Sequence, residues 1–344
     1  MYEEHAHAKL EDDQGVTQTI SINPTDLATL LEDTLGEHYY WTSPISNVAP
    51  DLLKENFHFF KDLHDKQDYS LLDPRGPSLW MGTSGSGTQC HYDVANNIIL
   101  QLYGTKRVQC FAPIQGVNHL HVFPDAHPRA RKSQVNFDTP NDTKFPHFST
   151  LPPPVLDVVL QPGDALEIPA FWFHHVENGR IPNSNDESII DGPSISLNTF
   201  ALSESMMIAQ QIFQKASQRE RHIQQNQVPT YLQALGSTLL QHGLGIKDGK
   251  GFIQRYLLDA RYAPLGDDPF SIDDSISPEP LTQEQRQAIQ TSVERLIPNF
   301  EELKEDDGSD GIILLVALHL MELWAVELVG AASIAKAWNE AVRL

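Results

Sequence analysis

Apolar and polar positions divide the chain into a strand-rich part and a helix-rich part. From Thr88 to Pro113, TQCHYDVANNIILQLYGTKRVQCFAP carries strand-favouring residues on both sides of Tyr103-Gly104-Thr105, which predicts a hairpin. Side chains two apart on a strand share a face, so His91 and Asp93 point one way and Tyr92 the other. Beyond the turn, Lys106, Val108 and Cys110 fall on one face, and Arg107, Gln109 and Phe111 on the opposite one. Gln161–Pro169 opens on a tight turn, Pro162-Gly163-Asp164, and runs into the apolar segment AFWFHHV. Ser194–Phe200 alternates cleanly, with Ser194, Ser196 and Asn198 on one face, turned either to solvent or into a pocket.

The flanks follow the same logic. Residues 1–16 are polar and are expected to be disordered. Thr17–Ile22 alternates as a strand, Pro24-Thr25-Asp26 opens a helix over Leu27–Leu35, Tyr39–Trp41 begins a strand, and Asp51–Leu63 reads as a helix. Asn118–Pro154 is a proline-rich excursion between strands, expected to be functional or mobile, and its His119, His121, His127 and His147 are expected to be solvated rather than a second metal site. Ile181–Pro193 is a polar loop.

From Ser203 the composition turns to helix formers. Helices are predicted over Ser203–Gln224, around Thr230–His242 and Lys250–Ala260, and from the capping box Thr282-Gln-Glu-Gln285 to about Leu296. Ala263–Pro280 reads as a linker and Glu301–Asp310 as an acidic loop. Ile312–Val329 is long enough to span a membrane, but His319, Glu322 and Glu327 interrupt it on one side. A charge at the bilayer centre costs roughly 2.5–3.5 kcal/mol, so a buried or dimer-forming helix is the better reading. The expected layout is a disordered 1–16, a β domain over 17–202 and a helical region over 203–344 that forms a homodimer, with no membrane contact.

Composition changes the picture in two respects. A net charge of −22, without a run of Lys or Arg, counts against an RNA partner such as tRNA, although Arg129, Arg131, Lys132 and Lys144 could form a local basic rim. Two cysteines in 344 residues read as reduced intracellular thiols, in cytoplasm or nucleus. The acidic N-terminus has no apolar core, so no signal peptide is expected.

His91-x-Asp93 supplies two thirds of a 2-His-1-carboxylate facial triad, the arrangement that holds Fe(II) on one side and leaves the other open. The same pair could be a simple His–Asp hydrogen bond or a surface accident. A third ligand is available in His174 or His175, about 83 residues after His91, and strand parity cannot choose between them because both faces of that strand are apolar. Lys106 is either solvated beside the turn, snorkelling, or meeting an anion inside.

Taken in order, HYD…N…GTKR…PGDALEIPAFWFHHVEN…SISLNTF resembles the JmjC hydroxylases, over roughly residues 36–202. Within that family HYDV, YYW and IPAFWFHHV look most like the tRNA wybutosine hydroxylases. HPRARKSQVNFDTPNDTKFPHF looks more like the asparaginyl hydroxylases. The resemblance implies a mainly β fold, a double-stranded β-helix (cupin jelly roll) with a C-terminal helical extension, using Fe(II), 2-oxoglutarate as co-substrate and O2. It makes His91, Asp93 and His174 the metal ligands, Lys106 the partner of the distal 2-oxoglutarate carboxylate, Thr88 and Tyr40 hydroxyls on the same carboxylate, and Asn97 and Asn198 amides near the co-substrate and metal. It puts Arg131 and Lys132 on the substrate side. Lys132 departs from a glutamine in the asparaginyl hydroxylases, which counts against that substrate.

The expected activity is hydroxylation of a protein side chain or a modified tRNA base. A cupin that has lost catalysis and serves as a scaffold, or a cupin metalloenzyme without 2-oxoglutarate, are the alternatives. The full ligand set argues against the first, and Lys106 with Asn198 against the second.

Overall fold

The computed structural model describes residues 6–11, 17–22, 39–48, 77–179, 192–216, 223–266, 278–304 and 309–344. Strands β1 (Ala6–Glu11), β2 (Thr17–Ile22), β3 (Tyr39–Pro44), β4 (Ser78–Gly82), β6 (Asn96–Tyr103), β9 (Ala165–Ile168) and β11 (Ser194–Ala201) form one sheet, in the order β2-β1-β3-β4-β11-β6-β9. Strands β5 (Gly87–Tyr92), β7 (Lys106–Phe111), β8 (Leu156–Leu160) and β10 (Phe173–Asn178) form a second sheet, in the order β5-β10-β7-β8. All pairings are antiparallel. Ile99 and Ile168 from the first sheet meet Val108, Cys110, Leu160 and Val176 from the second, the apolar filling of a β sandwich. Each such buried aliphatic side chain contributes about 1.5–3 kcal/mol.

The β6–β7 turn demands glycine. Gly104 has φ +63°, and a Cβ there would lie 2.1 Å from the Pro193 carbonyl oxygen, where the chain enters β11. On the outer face of β7, Arg107 bridges its neighbours, donating to Asp157 of β8 at 2.7 and 2.6 Å and to Glu177 of β10 at 3.3 Å.

Several expectations need correction. Ala6–Glu11, expected without structure, is β1, and it pairs with both β2 and β3, because its backbone supplies a ladder on each side. The predicted helices over 27–35 and 51–63 and the loop over 181–191 lie outside the described residues. Glu301–Leu303 closes the Ile297–Leu303 helix instead of starting a loop. The predicted helices near 230–242 and 250–260 exist as α-helix that widens into π-helix, at Leu239–Gly243 and Ile253–Tyr262.

The compact units also divide differently from a cut near residue 202. Residues 112–153 belong with 204–344, and residues up to 111 with 154–203. The excursion is not a loose loop, because its own apolar residues Leu120, Val122, Phe123, Val135 and Phe145 are buried. Polar bonds fasten it to the helices. Tyr256 Oη donates to Asn118 Oδ1 at 3.0 Å, and Gln134 Nε2 to the Arg261 carbonyl at 2.8 Å. His121 is buried rather than solvated, with Nδ1 3.3 Å from the Ala260 carbonyl, and burial lowers its pKa to about 4.

The apolar Ser309–Val329 helix lies inside this helical unit. Asp310–Val329 has the length and mean hydropathy, 2.2, to cross a membrane, yet 61% of that stretch is buried within the protein. The exposed apolar surface from which a homodimer was expected is thus largely covered by the chain itself. Its interrupting Glu322 is 1% exposed and takes hydrogen bonds from Arg261 Nη1 at 3.2 Å and the Asp125 amide at 2.7 Å. Arg261 Nη1 also lies 3.4 Å from Asp125, whose carboxylate meets His319 Nδ1 at 2.7 Å.

Two carboxylates thus share one guanidinium. Burial pushes the Glu322 carboxyl up, to about 8, and the attraction of Arg261 does not bring it back. A carboxyl raised in the folded state binds protons that the unfolded chain releases, so its contribution is present at acid pH and is lost as pH rises through the folded value. Measured against Glu322→Gln, the wild type should therefore lose stability as pH rises from about 5 to about 8. That comparison cancels the opposite trends of His121 and Lys106, whose pKa burial lowers. Arg261→Met, which strands the carboxylates, should cost about 3–5 kcal/mol. Denaturant melts of the three proteins across this pH range check both.

Candidate functional site

The antiparallel pairing of β10 with β5 sets His174 directly opposite His91, so the two imidazoles share one face. Asp93 follows β5. The Phe171 amide donates to its carbonyl at 2.7 Å, and the Ala170 amide donates to Asn96 Oδ1 at 2.9 Å. Phe171 holds φ +65°, an unfavourable conformation for an aromatic residue, and is locked by 4% exposure. The turn into β10 is thus tied to the turn out of β5.

As a result His91 Nε2 is 4.0 Å and His174 Nε2 3.6 Å from Asp93 Oδ2, and the ring centroids are 4.2 Å apart. The ligand atoms of all three residues lie within 4.8 Å of one another. Each histidine has its Nδ1 against a backbone carbonyl, Gln89 at 2.9 Å and Trp172 at 3.2 Å. That contact holds the proton on Nδ1 and leaves the Nε2 lone pair free for a metal. Two neutral imidazoles and a carboxylate in this cluster fit a divalent first-row metal such as Fe(II). His175 faces the other way, opposite Gln109, while His174 is opposite Cys110. His174, not His175, therefore shares the face of His91 and the cluster with Asp93.

Lys106 opens β7 opposite Asn178 and is 6% exposed. Burial lowers its ammonium pKa to about 7, and no carboxylate among the described residues offsets that. Its Nζ donates to Ser196 Oγ, Ser196 Oγ to Asn198 Oδ1 at 3.3 Å, Asn198 Nδ2 to Asn97 Oδ1 at 3.2 Å, and Asn97 Nδ2 to Asp93 Oδ2 at 3.4 Å. The polar face of β11 therefore turns inward. A buried cation that lacks a counter-charge fits an anionic ligand such as the distal carboxylate of 2-oxoglutarate.

The other anticipated residues take defined places. Thr88 lies on β5 opposite Val176. Tyr40 on β3 stacks against Trp80 with centroids 5.8 Å apart, and β3–β4–β11 register puts it on the inward face with Ser194 and Ser196. Arg131, exposed at φ +68°, and Lys132 stand in the helical unit.

Sequence reasoning missed two inward residues, Trp80 and Gln101, and left a third, Ser196, open between solvent and a pocket. Trp80 lies in register with Ser196, and its indole N–H is buried without an acceptor. Gln101, fully buried, donates to Ser194 Oγ at 3.0 Å. Ser196 joins the lysine to the asparagines. Period-two alternation on β4 and β6 was the available signal for the first two. Cys90 and Cys110 are free and buried, and burial pushes both thiols up, Cys110 to about 11, so they stay protonated.

The sequence profile of the cupin-like domain matches residues 9–200, more than half of the chain. The chain belongs to the cupin-like domain family. Human tRNA wybutosine-synthesizing protein 5 is 33% identical over 153 residues, 41% of this chain and 43% of that protein. A zebrafish HSPB1-associated protein 1 homolog is 34% identical over 110 residues, 31% of this chain and 23% of that protein. The chain thus matches less than half the length of these relatives. Among solved structures, the Escherichia coli ribosomal oxygenase YcfD in complex with cobalt and 2-oxoglutarate has a TM-score of 0.34 and 14% identity, covering 86% of this chain and 56% of that one. A JmjC domain-containing protein D of Dictyostelium discoideum is 28% identical over 114 residues, 33% of this chain and 25% of that protein.

His91→Ala should abolish tight metal binding and leave the fold intact, and His174→Ala should do the same. His175→Ala should retain it. Calorimetric titration with Mn(II), a redox-silent surrogate, reads the difference. Loss of binding in the His175 variant with retention in the His174 variant would reverse the assignment.

Proposed function

We propose that this protein is an intracellular Fe(II)- and 2-oxoglutarate-dependent hydroxylase acting on a macromolecule, a protein side chain or a modified tRNA base. The observation that carries the reading is Lys106, a cation buried with no carboxylate among the described residues to meet it, in the sandwich that also clusters His91, Asp93 and His174. When bound, Fe(II) with 2-oxoglutarate and O2 supplies the oxidant for a C–H bond. The chain's own residues do the rest. Lys106 holds one carboxylate end of the co-substrate by charge, with the Thr88 and Tyr40 hydroxyls on the same carboxylate. His91, Asp93 and His174 confine the metal to one side and leave positions for co-substrate and O2. Asn97 fixes the aim of Asp93 by donating to its Oδ2.

A scaffold that had lost catalysis would have no use for a desolvated lysine in such a place, and the kinship with enzymes supports the catalytic reading. The likeness to a tRNA-modifying protein supports a nucleic-acid substrate, while the net charge of −22 supports a protein one. Succinate release with cell protein and tRNA fractions as substrates decides between them.

Losing one member of a desolvated charge pair costs about 3–5 kcal/mol. Lys106→Ala should therefore raise the 2-oxoglutarate dissociation constant by roughly a hundredfold or more, each 1.4 kcal/mol being about tenfold. Lys106→Arg should recover only part of it, because a planar guanidinium replaces a compact ammonium. Anaerobic titration of the Fe(II)-loaded proteins measures this. Equal binding by wild type and Lys106→Ala would remove the co-substrate assignment.

A further inference from the structure

Lys106, Ser196, Asn198, Asn97 and Asp93 stand in an unbroken hydrogen-bonded line, and while Lys106 is charged the chemistry of the two ends fixes the direction of every link. An ammonium has donors only, so Ser196 Oγ must accept from Nζ and has its single proton left for Asn198 Oδ1. Asn198 thereby turns its NH2 to Asn97 Oδ1, and Asn97 turns its own NH2 to Asp93 Oδ2. That oxygen is the one 4.0 and 3.6 Å from the two histidine Nε2 atoms. Ser196, Asn198 and Asn97 are 0%, 8% and 4% exposed, so water is a poor substitute at any link.

We propose that Ser196 is a positioning residue that couples the anion-holding lysine to the metal-binding carboxylate. The lysine at one end and the carboxylate at the other thereby agree on which way both asparagine amides face, and the line between them holds where Asp93 points. This rests on the metal and co-substrate reading above. With the Ser196 hydroxyl gone, buried Asn198 Oδ1 loses its donor. With Lys106 gone, the Ser196 proton is free to turn elsewhere, so that only the Asp93 carboxylate still holds the amides in line. A flipped Asn97 turns a carbonyl oxygen toward a carboxylate, which repels it. Coupling through such a chain is reciprocal, so what disturbs one end weakens binding at the other. Lys106 then influences metal affinity without touching the metal.

The test uses full-length protein without co-substrate, titrated calorimetrically with Mn(II). Ser196→Ala and Lys106→Met should each weaken Mn(II) binding by about three- to tenfold, the scale of one net hydrogen bond. The double variant should lose no more than either single one, because both cut the same line. Ser196→Thr, which keeps the hydroxyl, should stay within about twofold of wild type. Unchanged affinity in both single variants, or additive losses in the double, overturns the relay while leaving the metal site standing. A wild type that binds no Mn(II) overturns the metal reading and the relay with it. Should Ser196→Ala fail to fold, as melting of the metal-free protein would reveal, Lys106→Met decides alone. Its unchanged affinity overturns the proposal, and a loss in that range supports it.

Discussion

The structure depends on the register of one central strand. β10 runs between β5 and β7, with His174 opposite both His91 and Cys110, Val176 opposite Val108, and Asn178 opposite Lys106. Side chains alternate with a period of two, so a slip of one residue would replace His174 with His175 and turn Val176 out of the core. Hydrophobic packing and ligand geometry are therefore a single constraint. The filling of the sandwich that stabilises the fold also selects which histidine joins the cluster.

Electrostatics complete what the register begins. The inward face of β11 consists of small polar side chains, Ser194, Ser196 and Asn198, in an interior otherwise filled by Ile, Val and Leu. Buried polar groups of this kind are tolerated because each is bonded to another. Lys106 is the exception in kind, a charge whose hydrogen bonds go to neutral atoms. The outer face of the same strand shows the contrast, since Arg107 meets two carboxylates there. Two adjacent cations on one strand thus have opposite environments, one neutralised by carboxylates and one bonded to a neutral hydroxyl.

Much of this was legible in the sequence because period two is a strong signal on short strands. The hairpin around Gly104, the shared face of Lys106 with Val108 and Cys110, and the polar face of β11 could all be read from alternation. What could not be read depended on pairing between distant strands. The choice between His174 and His175 needed the β10–β5 register, and the inward Trp80 needed the β4–β11 register. The excursion was misjudged for another reason. Prolines and histidines gave it the composition of a loop, while a few scattered apolar residues, Leu120, Val122, Phe123, Val135 and Phe145, were enough to bury it. Scattered positions without periodicity carry no helix or strand signal, yet their burial is what places the segment.

The chain leaves the β sandwich after β7, contributes residues 112–153 to the helical unit, returns for β8 through β11, and then completes the helices. No single cut separates the two bodies. A gene fragment ending near residue 203 would encode all eleven described strands, but it would also carry a segment whose burial partners, such as Ala260, Arg261 and Glu322, had not been made. During synthesis that segment must wait, apolar side chains uncovered, until more than a hundred further residues have emerged from the ribosome. Recombination that exchanges the helical end between homologues would have to exchange the middle of the chain at the same time, so the two stretches are bound to diverge in step.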